Sequence, residues 1–332
     1  MKKRLGFTMG CTLLFVLLLG LPAIVTAAEK SPGILSFATL PQGSSSYAVT
    51  VVVSDVMSRF SGHKVTVEPV GPPGKFWPLM ESGEVHMGFG AIITTENILK
   101  RMKLTSQTSN IRAIGSGQYT PNVFLGRGDA GIESIADLKG KKVLTHFTSD
   151  THNRTVALVL DHYGLTGKVT ELKITSPPMV YTSLTEGRVD AAFFSLSAQA
   201  AEVKRSRGLK VLGFPEDVVN EISKKEPSLM PYKYPKGFLG LLDKDTPTIA
   251  YRLILFIHKN VPDNVVFDLM KALNEHPKEL KAGFALAAEY TMDEIPWETT
   301  LPFHPGAIRF YKEKGKWNDR AEVLQKRLLA GK

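Results

Sequence analysis

Two stretches about a hundred residues apart follow one template. "LMESGEVHMGF" (79–89) and "LTEGRVDAAF" (184–193) each read as a helix end, a glycine, one further residue, a valine, and a strand that closes on phenylalanine. A second pair echoes in the same order. "GSSSYAV" (43–49) and "TSDTHNRTV" (148–156) both set small hydroxyl residues between a strand and a helix. A chain that twice runs through strand, hydroxyl loop, helix, strand, helix and Gly-led strand is predicted to be α/β with two similar lobes, because alternating strand and helix periods build parallel βα units.

The rest of the chain agrees with that reading. "GILSFATL" is a strand, "SYAVTVVVSDVMSRFSG" a helix closed by Gly62, and "KVTVEPV" a strand by its period of two. The pattern restarts at Pro121 with the strand "PNVFLGR", and "DTHNRTVALVLDHYGL" is a helix ending on Gly164. No low-complexity linker separates the halves, so crossing strands rather than a tether are expected to join them. We place lobe one at 29–117 plus 239–332 and lobe two at 118–238, with crossings near 117–121 and 230–238.

Residues 1–28 read as a secretory signal. Lys2, Lys3 and Arg4 precede the apolar run "LLFVLLLGLPAIV", and "VTAA" offers small residues for cleavage near Ala28. Cys11, the only cysteine, lies before that run rather than after it, which argues against a lipoprotein. The exported chain then has no thiol for a disulfide, a metal or nucleophilic catalysis. Its formal charge falls from +9 to about +6. No long basic run with interleaved aromatics is present, so nucleic-acid binding is not expected. The most apolar later segment, "TIAYRLILFIHKNV" (248–261), is broken by Arg252, His258 and Lys259 and reads as a buried strand or helix.

Ligands of open α/β sheets sit beyond the carboxyl ends of the strands, where helix N-termini present unpaired N–H groups. Ser44, Ser45 and Ser46 on one lobe and Thr148, Ser149 and Thr151 on the other are therefore expected to face each other across a cleft and to hold an anion. A helix end contributes about 0.3–1 kcal/mol, or up to about 2 when partly buried. Micromolar binding needs about 8 kcal/mol. Hydroxyl hydrogen bonds and aromatic packing must therefore contribute most, with Tyr47, Phe76, Trp77, Tyr119 and Phe238 as the aromatic candidates. Ala91 and Ser195 complete the set. Asp150 has two readings: it caps the helix from 151 and pairs with Arg154, or it faces a ligand ammonium group.

Enzyme signatures are sparse. The eight histidines form no metal-ligand spacing, and GxSxG, P-loop and GxGxxG motifs are missing, so neither a metal nor a cofactor is expected. His146, Ser149, Asp150 and His152 crowd together in "THFTSDTHNR", but triad members usually come from separate loops.

The mature chain resembles the TAXI-type solute-binding subunit of tripartite ATP-independent periplasmic (TRAP) transporters. The resemblance rests on the Phe37–Tyr47 start, "LMESGEVHMGFG", "IESIADLKGKKV", "TEGRVDAAFF" and, most specifically, "LPFHPGAIRFYKEKGKW" (301–317). It implies a monomeric, type II-like bilobed binding protein of the periplasm that closes on a small organic acid or amino acid and delivers it to TRAP membrane subunits. The family's pocket residues are altered here. Phe76 stands where asparagine is usual, Ser149–Asp150–Thr151 replaces Ser-Gly-Thr, and Lys236–Gly237–Phe238 replaces Gly-Thr-Tyr. A bulkier or more apolar acid than glutamate is expected. The competing readings are a sensory or partner-presenting binding protein, and an enzyme on a bilobed fold. A deaminase of that kind holds its cofactor on a cysteine, which the mature chain lacks.

Overall fold

The structure, a computed structural model, describes residues 33–42, 44–174 and 176–331. The expected signal at 1–28 lies outside the described residues. The first three strands, β1 (Leu35–Ala38), β2 (Val65–Glu68) and β3 (Met87–Ala91), alternate with α1 (Ser45–Phe60), α2 (Pro73–Ser82) and α3 (Ile92–Arg101). A long strand, β4 (Ile111–Arg127), leads into a second series: β5 (Lys142–His146), α4 (Asp150–His162), β6 (Thr170–Lys173), α5 (Pro177–Thr185), β7 (Ala191–Phe194) and α6 (Ala200–Arg207). Then come β8 (Leu209–Leu212), α7 (Glu216–Lys225), β9 (Leu229–Tyr234) and a second long strand, β10 (Thr246–His258). Four helices close the chain: α8 (Asp263–Glu275), α9 (Pro277–Gly283), α10 (Pro305–Glu313) and α11 (Asp319–Leu329).

Local chemistry explains these boundaries. Helix α1 carries five valines, which restrict χ1 and lower helix propensity. It forms because Val49, Val53, Val56 and Met57 fall on one buried face and Ser44 caps its start. Helix α2 opens on Pro73, whose missing N–H is no loss at the first position, and ends where Gly83 takes φ +82°. The apolar segment at 248–261 resolves as the strand β10, buried along most of its length.

The strands form one path, β2-β1-β3-β10-β4-β7-β5-β6, with β8 added to β4 and β9 to β10. β1 pairs in parallel with β2 and β3, and β5 likewise with β6 and β7. The junctions are antiparallel: β3 with β10, β10 with β4, and β4 with β7. The α/β class is therefore as expected, and the halves match. The two hydroxyl loops follow β1 and β5, and the two Gly-led strands are β3 and β7.

The core changes along the long strands. Ile111, Ala113 and Ile114 of β4 and Ile254–Ile257 of β10 belong to one apolar cluster, with Phe37, Val53, Trp77 and Leu269. Further along, Phe124 packs in a second cluster with Val156 and Phe193, while Val123 and Leu125 face a third with Leu184 and Val203. That alternation is the period of two of a strand buried on both faces. In β10 the change falls between Tyr251 and Ile254. β9 lies earlier, paired with Thr246–Tyr251.

The "HPGA" segment has a structural explanation. His304 is fully buried and caps α10, its Nδ1 accepting from the Gly306 N–H at 3.1 Å. Gly306 lies against α8: a Cβ there would overlap the Asp263 carbonyl oxygen and stand 2.9 Å from the Val266 Cβ. Gly306→Ala is expected to destabilise the chain by about 1–3 kcal/mol through overpacking, read as a lower denaturation midpoint in urea. An unchanged midpoint would show that α10 can shift away from α8 without cost.

Candidate functional site

A cavity of about 140 Å³ lies where the carboxyl ends of β1, β3, β5 and β7 approach the two long strands. Leu40, Phe89–Ala91, Phe147–Ser149 and Phe194–Ser195 follow or end those four strands and line it. Its floor comes from the crossing pair: Gln118, Thr120 and Asn122 at alternate positions of β4, and Tyr251 and Leu253 of β10.

Residues at the N-terminal ends of five helices line this cavity. Ser44–Ser46 open α1, Pro73 opens α2, Ala91 and Thr94 belong to the start of α3, Ser149 caps α4, and Pro177 opens α5. Among the described residues, none that lines it is Lys, Arg, Asp or Glu. Among the described lining residues, helix dipoles are therefore the source of any positive potential. Prolines remove the first N–H of α2 and the first two of α5, so those ends supply field rather than donors. The Ser45 and Ser46 N–H groups are the first two of α1 and have no intrahelical acceptor.

Two titratable groups line the cavity. Burial holds the His152 imidazole down to a pKa of about 4, with His146 adding to the fall and a hydrogen bond to the Thr145 backbone opposing it. Burial pushes the Tyr251 hydroxyl up to about 12, against the pull of the Ser149, Thr120 and Asn122 side chains. Both are neutral at pH 7, and so is the cavity wall.

The wall is held by bonds behind it. Asn153 fixes Phe147 twice, its Oδ1 accepting from the Phe147 N–H at 2.8 Å and its Nδ2 donating to the Phe147 carbonyl at 3.0 Å. Tyr181 donates to the Ser195 carbonyl. Asn122 donates to the Thr120 carbonyl at 3.1 Å and accepts from Ser195 Oγ at 3.4 Å. Phe147, His152 and Phe194 pack edge-on or tilted with ring centroids 5.8–6.0 Å apart, which makes one side aromatic.

Of the residues singled out in the sequence, Ser44–Ser46, Ala91, Thr148, Ser149 and Ser195 come together here. Ser44 is occupied in capping, accepting from the Tyr47 N–H at 3.1 Å and donating to the Pro41 carbonyl at 2.8 Å. The others lie elsewhere. Tyr47 accepts from Gln42 outside the cavity. Phe76 and Trp77 are fully buried in the first cluster, packed on Phe89 and Phe256, because α2 turns that face inward and presents Pro73 to the cavity. Tyr119 lies in a separate depression, with the Arg252 guanidinium 4.7 Å above its ring. Phe238 packs on Tyr234 in the third cluster.

Asp150 follows neither sequence reading. Ser149 is the cap of α4, accepting from the His152 N–H, and Asp150 pairs with Arg101 of α3 at 3.0 Å. Arg154 reaches Glu226 instead, at 3.9 Å. Thr151 turns away from the cavity as well. Its Oγ1 accepts from the Thr94 N–H at 3.0 Å while Thr94 Oγ1 accepts from the Thr151 N–H at 3.1 Å, so two helix starts cap each other.

Sequence reasoning missed Gln118, Thr120, Asn122, His152 and Tyr251. One signal was available: "QYTPN" alternates polar residues within an apolar strand. Tyr119 and Gln118 are neighbours, and in a strand that difference of one selects the opposite face. Among the described residues, no three His, Cys, Asp or Glu side chains gather as metal ligands, and no helix is long and apolar enough to cross a membrane.

A family model described as NMT1-like matches residues 37–315. Among solved structures, the chain is similar to the alkanesulfonate-binding protein SsuA of Xanthomonas axonopodis pv. citri bound to MOPS, at 15% identity over 88% of this chain and 96% of that one, with a TM-score of 0.45. It is also similar to the periplasmic aliphatic sulphonate binding protein SsuA of Escherichia coli (14%, 90% and 86%, 0.47). A third is the ligand-binding component of an ABC-type import system from Staphylococcus aureus with zinc bound (15%, 90% and 99%, 0.49).

The buried imidazole makes stability depend on pH. Unfolded, it takes a proton near pH 6.5; folded, only near 4. Its share of stability is whole above about 6.5 and declines as pH falls towards 4. At pH 5 the loss amounts to about 2 kcal/mol. His152→Leu is therefore expected to lose less stability than the parent between pH 7 and pH 5, by about that amount, in paired urea titrations. Parallel curves would mean that the ring is solvated.

Proposed function

The chain belongs to the NMT1-like family, and we propose that it is an extracytoplasmic solute-binding protein whose cavity takes a small organic anion. The observation that carries the reading is that the starts of five helices line one cavity in which no described residue is charged. An anion there meets the positive ends of dipoles and the Ser45, Ser46, Thr148 and Ser149 hydroxyls. With Asp150 engaged by Arg101, no lining carboxylate matches an ammonium group. The aromatic side formed by Phe147 and Phe194 suits an apolar tail.

The chain is taken as two lobes that close around the ligand, with the second crossing drawn in β10 between Tyr251 and Ile254, later than the expected 230–238, so that residues 239–251 join lobe two. Closure excludes water and strengthens each hydrogen bond to the anion. A carrier that recognises only the closed form would ignore empty protein. The sequence resemblance to TAXI subunits makes a TRAP-type carrier the proposed recipient and the periplasm, after removal of residues 1–28, the proposed location.

Calorimetry with matched acids tests this. A 2-oxo acid with an apolar chain is expected to bind well above its 2-amino counterpart. Ser45→Ala and Ser46→Ala are each expected to weaken binding about tenfold, the usual size for a hydrogen bond to a charged group, with little change in melting temperature. Tight binding of a neutral sugar or a cation, with no response to any acid, would overturn the reading.

A further inference from the structure

The floor of the cavity holds two amides in different states. Asn122 is satisfied at both ends, by the Thr120 carbonyl and Ser195 Oγ. Gln118, two strand pairs away on the same face, is only 5% exposed, and its Oε1 has no hydrogen-bond partner among the described residues. A buried amide oxygen left unpaired is costly, and native proteins rarely keep one without a use.

The backbone places it there. The β4–β10 register runs Arg252↔Tyr119 and then Ile254↔Ser116, so β4 holds one residue more than β10 across Gly117 and Gln118. Gln118 is the first residue of β4 to line the cavity, because the alternation that sets it on one face with Thr120 and Asn122 ends at this bulge. Gly117 permits it, because a Cβ there would stand 2.8 Å from the Tyr290 ring.

We propose that Gln118 is a specificity-determining residue and that the ligand is an organic monoanion carrying a hydroxyl group, which donates to the Gln118 amide while the acid faces the helix ends. This rests on the anion reading above. The donor is a neutral one: an ammonium group would meet five positive helix ends with no carboxylate in the wall. A hydroxyl brings the missing hydrogen without the charge, once the amide turns its enclosed oxygen toward the cavity that Gln118 lines. Its absence from a ligand leaves the amide buried and unpaired, and sites of that kind discriminate strongly against the analogue that lacks the group.

Isothermal titration of the mature protein with hydroxy and deoxy pairs tests it: mandelate against phenylacetate, 2-hydroxyisocaproate against isocaproate, 3-hydroxybutyrate against butyrate. At least one hydroxy acid is expected to bind about tenfold or more tightly than its partner. In Gln118→Met, of similar volume, that ratio is expected to fall to about one while the deoxy acid keeps its affinity. Gln118→Glu, a second variant that keeps the side-chain shape, is expected to lose both acids, because it sets a carboxylate beside the anion. A purely structural role would lower both acids alike in Gln118→Met and leave the ratio intact, which overturns the proposal. So would equal affinities across every pair in the parent protein, with the anion reading still standing. No response to any acid overturns both.

Discussion

The antiparallel pairing of β4 with β10 is the contact on which the rest depends. Each half of the sheet hangs from one of these strands, β2-β1-β3 from β10 and β6-β5-β7 from β4. Because the junctions are antiparallel and the outer strands parallel, the carboxyl ends of β1, β3, β5 and β7 all open onto the same pair. Helices α1, α3 and α4, which follow β1, β3 and β5, then begin at one place, and α2 and α5, which follow β2 and β6, join them there. The cavity and its field are thus consequences of strand direction more than of particular side chains. The pair also forms the cavity floor, so a shift in its register would move Gln118, Thr120 and Asn122 together.

Dipoles without charged side chains make a distinct kind of site. A lysine or arginine in the wall would hold an anion strongly and would have to be desolvated whenever the cavity is empty and closed. Helix ends cost less to keep, since their N–H groups are already fixed by the fold. They also bias the wall without committing it to one geometry, and orientation passes to the hydroxyls and amides. The neutrality of His152 and Tyr251 fits this arrangement, since burial disfavours the charged form of each. The mutual capping of Thr94 and Thr151 adds a tie of the same type, in which two helix starts satisfy each other's N–H groups directly.

Segments that stand out in the sequence need not touch the site. "HPGA" caps α10 and lets it approach α8. "DLKGKK" is a turn: the Asp137 carboxylate accepts from the Ser134 N–H at 2.8 Å and from its hydroxyl, which with other local hydrogen bonds lowers its pKa, and Gly140 takes φ +77° before β5. Both motifs are distinctive because backbone geometry at caps and close approaches admits few residues. That constraint is as strict as any imposed by a ligand.

The sequence alone determined the α/β alternation, the internal duplication and the loops at which helices begin. Those follow from periodicity, glycine stops and capping chemistry, all local. Ser45, Ser46, Thr148 and Ser149 were legible for that reason. Tertiary structure decided which face each side chain meets. Phe76 and Trp77 went to the core because α2 packs that side inward. Asp150 went to Arg101 because α3 lies against α4 across the chain. Gln118 rather than Tyr119 reached the cavity because it alternates with Thr120 and Asn122 on the face of β4 that the fold turns to the cavity. Facing depends on pairs of elements distant in sequence, and a one-residue offset in a strand reverses it, so the alternation in "QYTPN" separates two faces without telling which one meets the cavity.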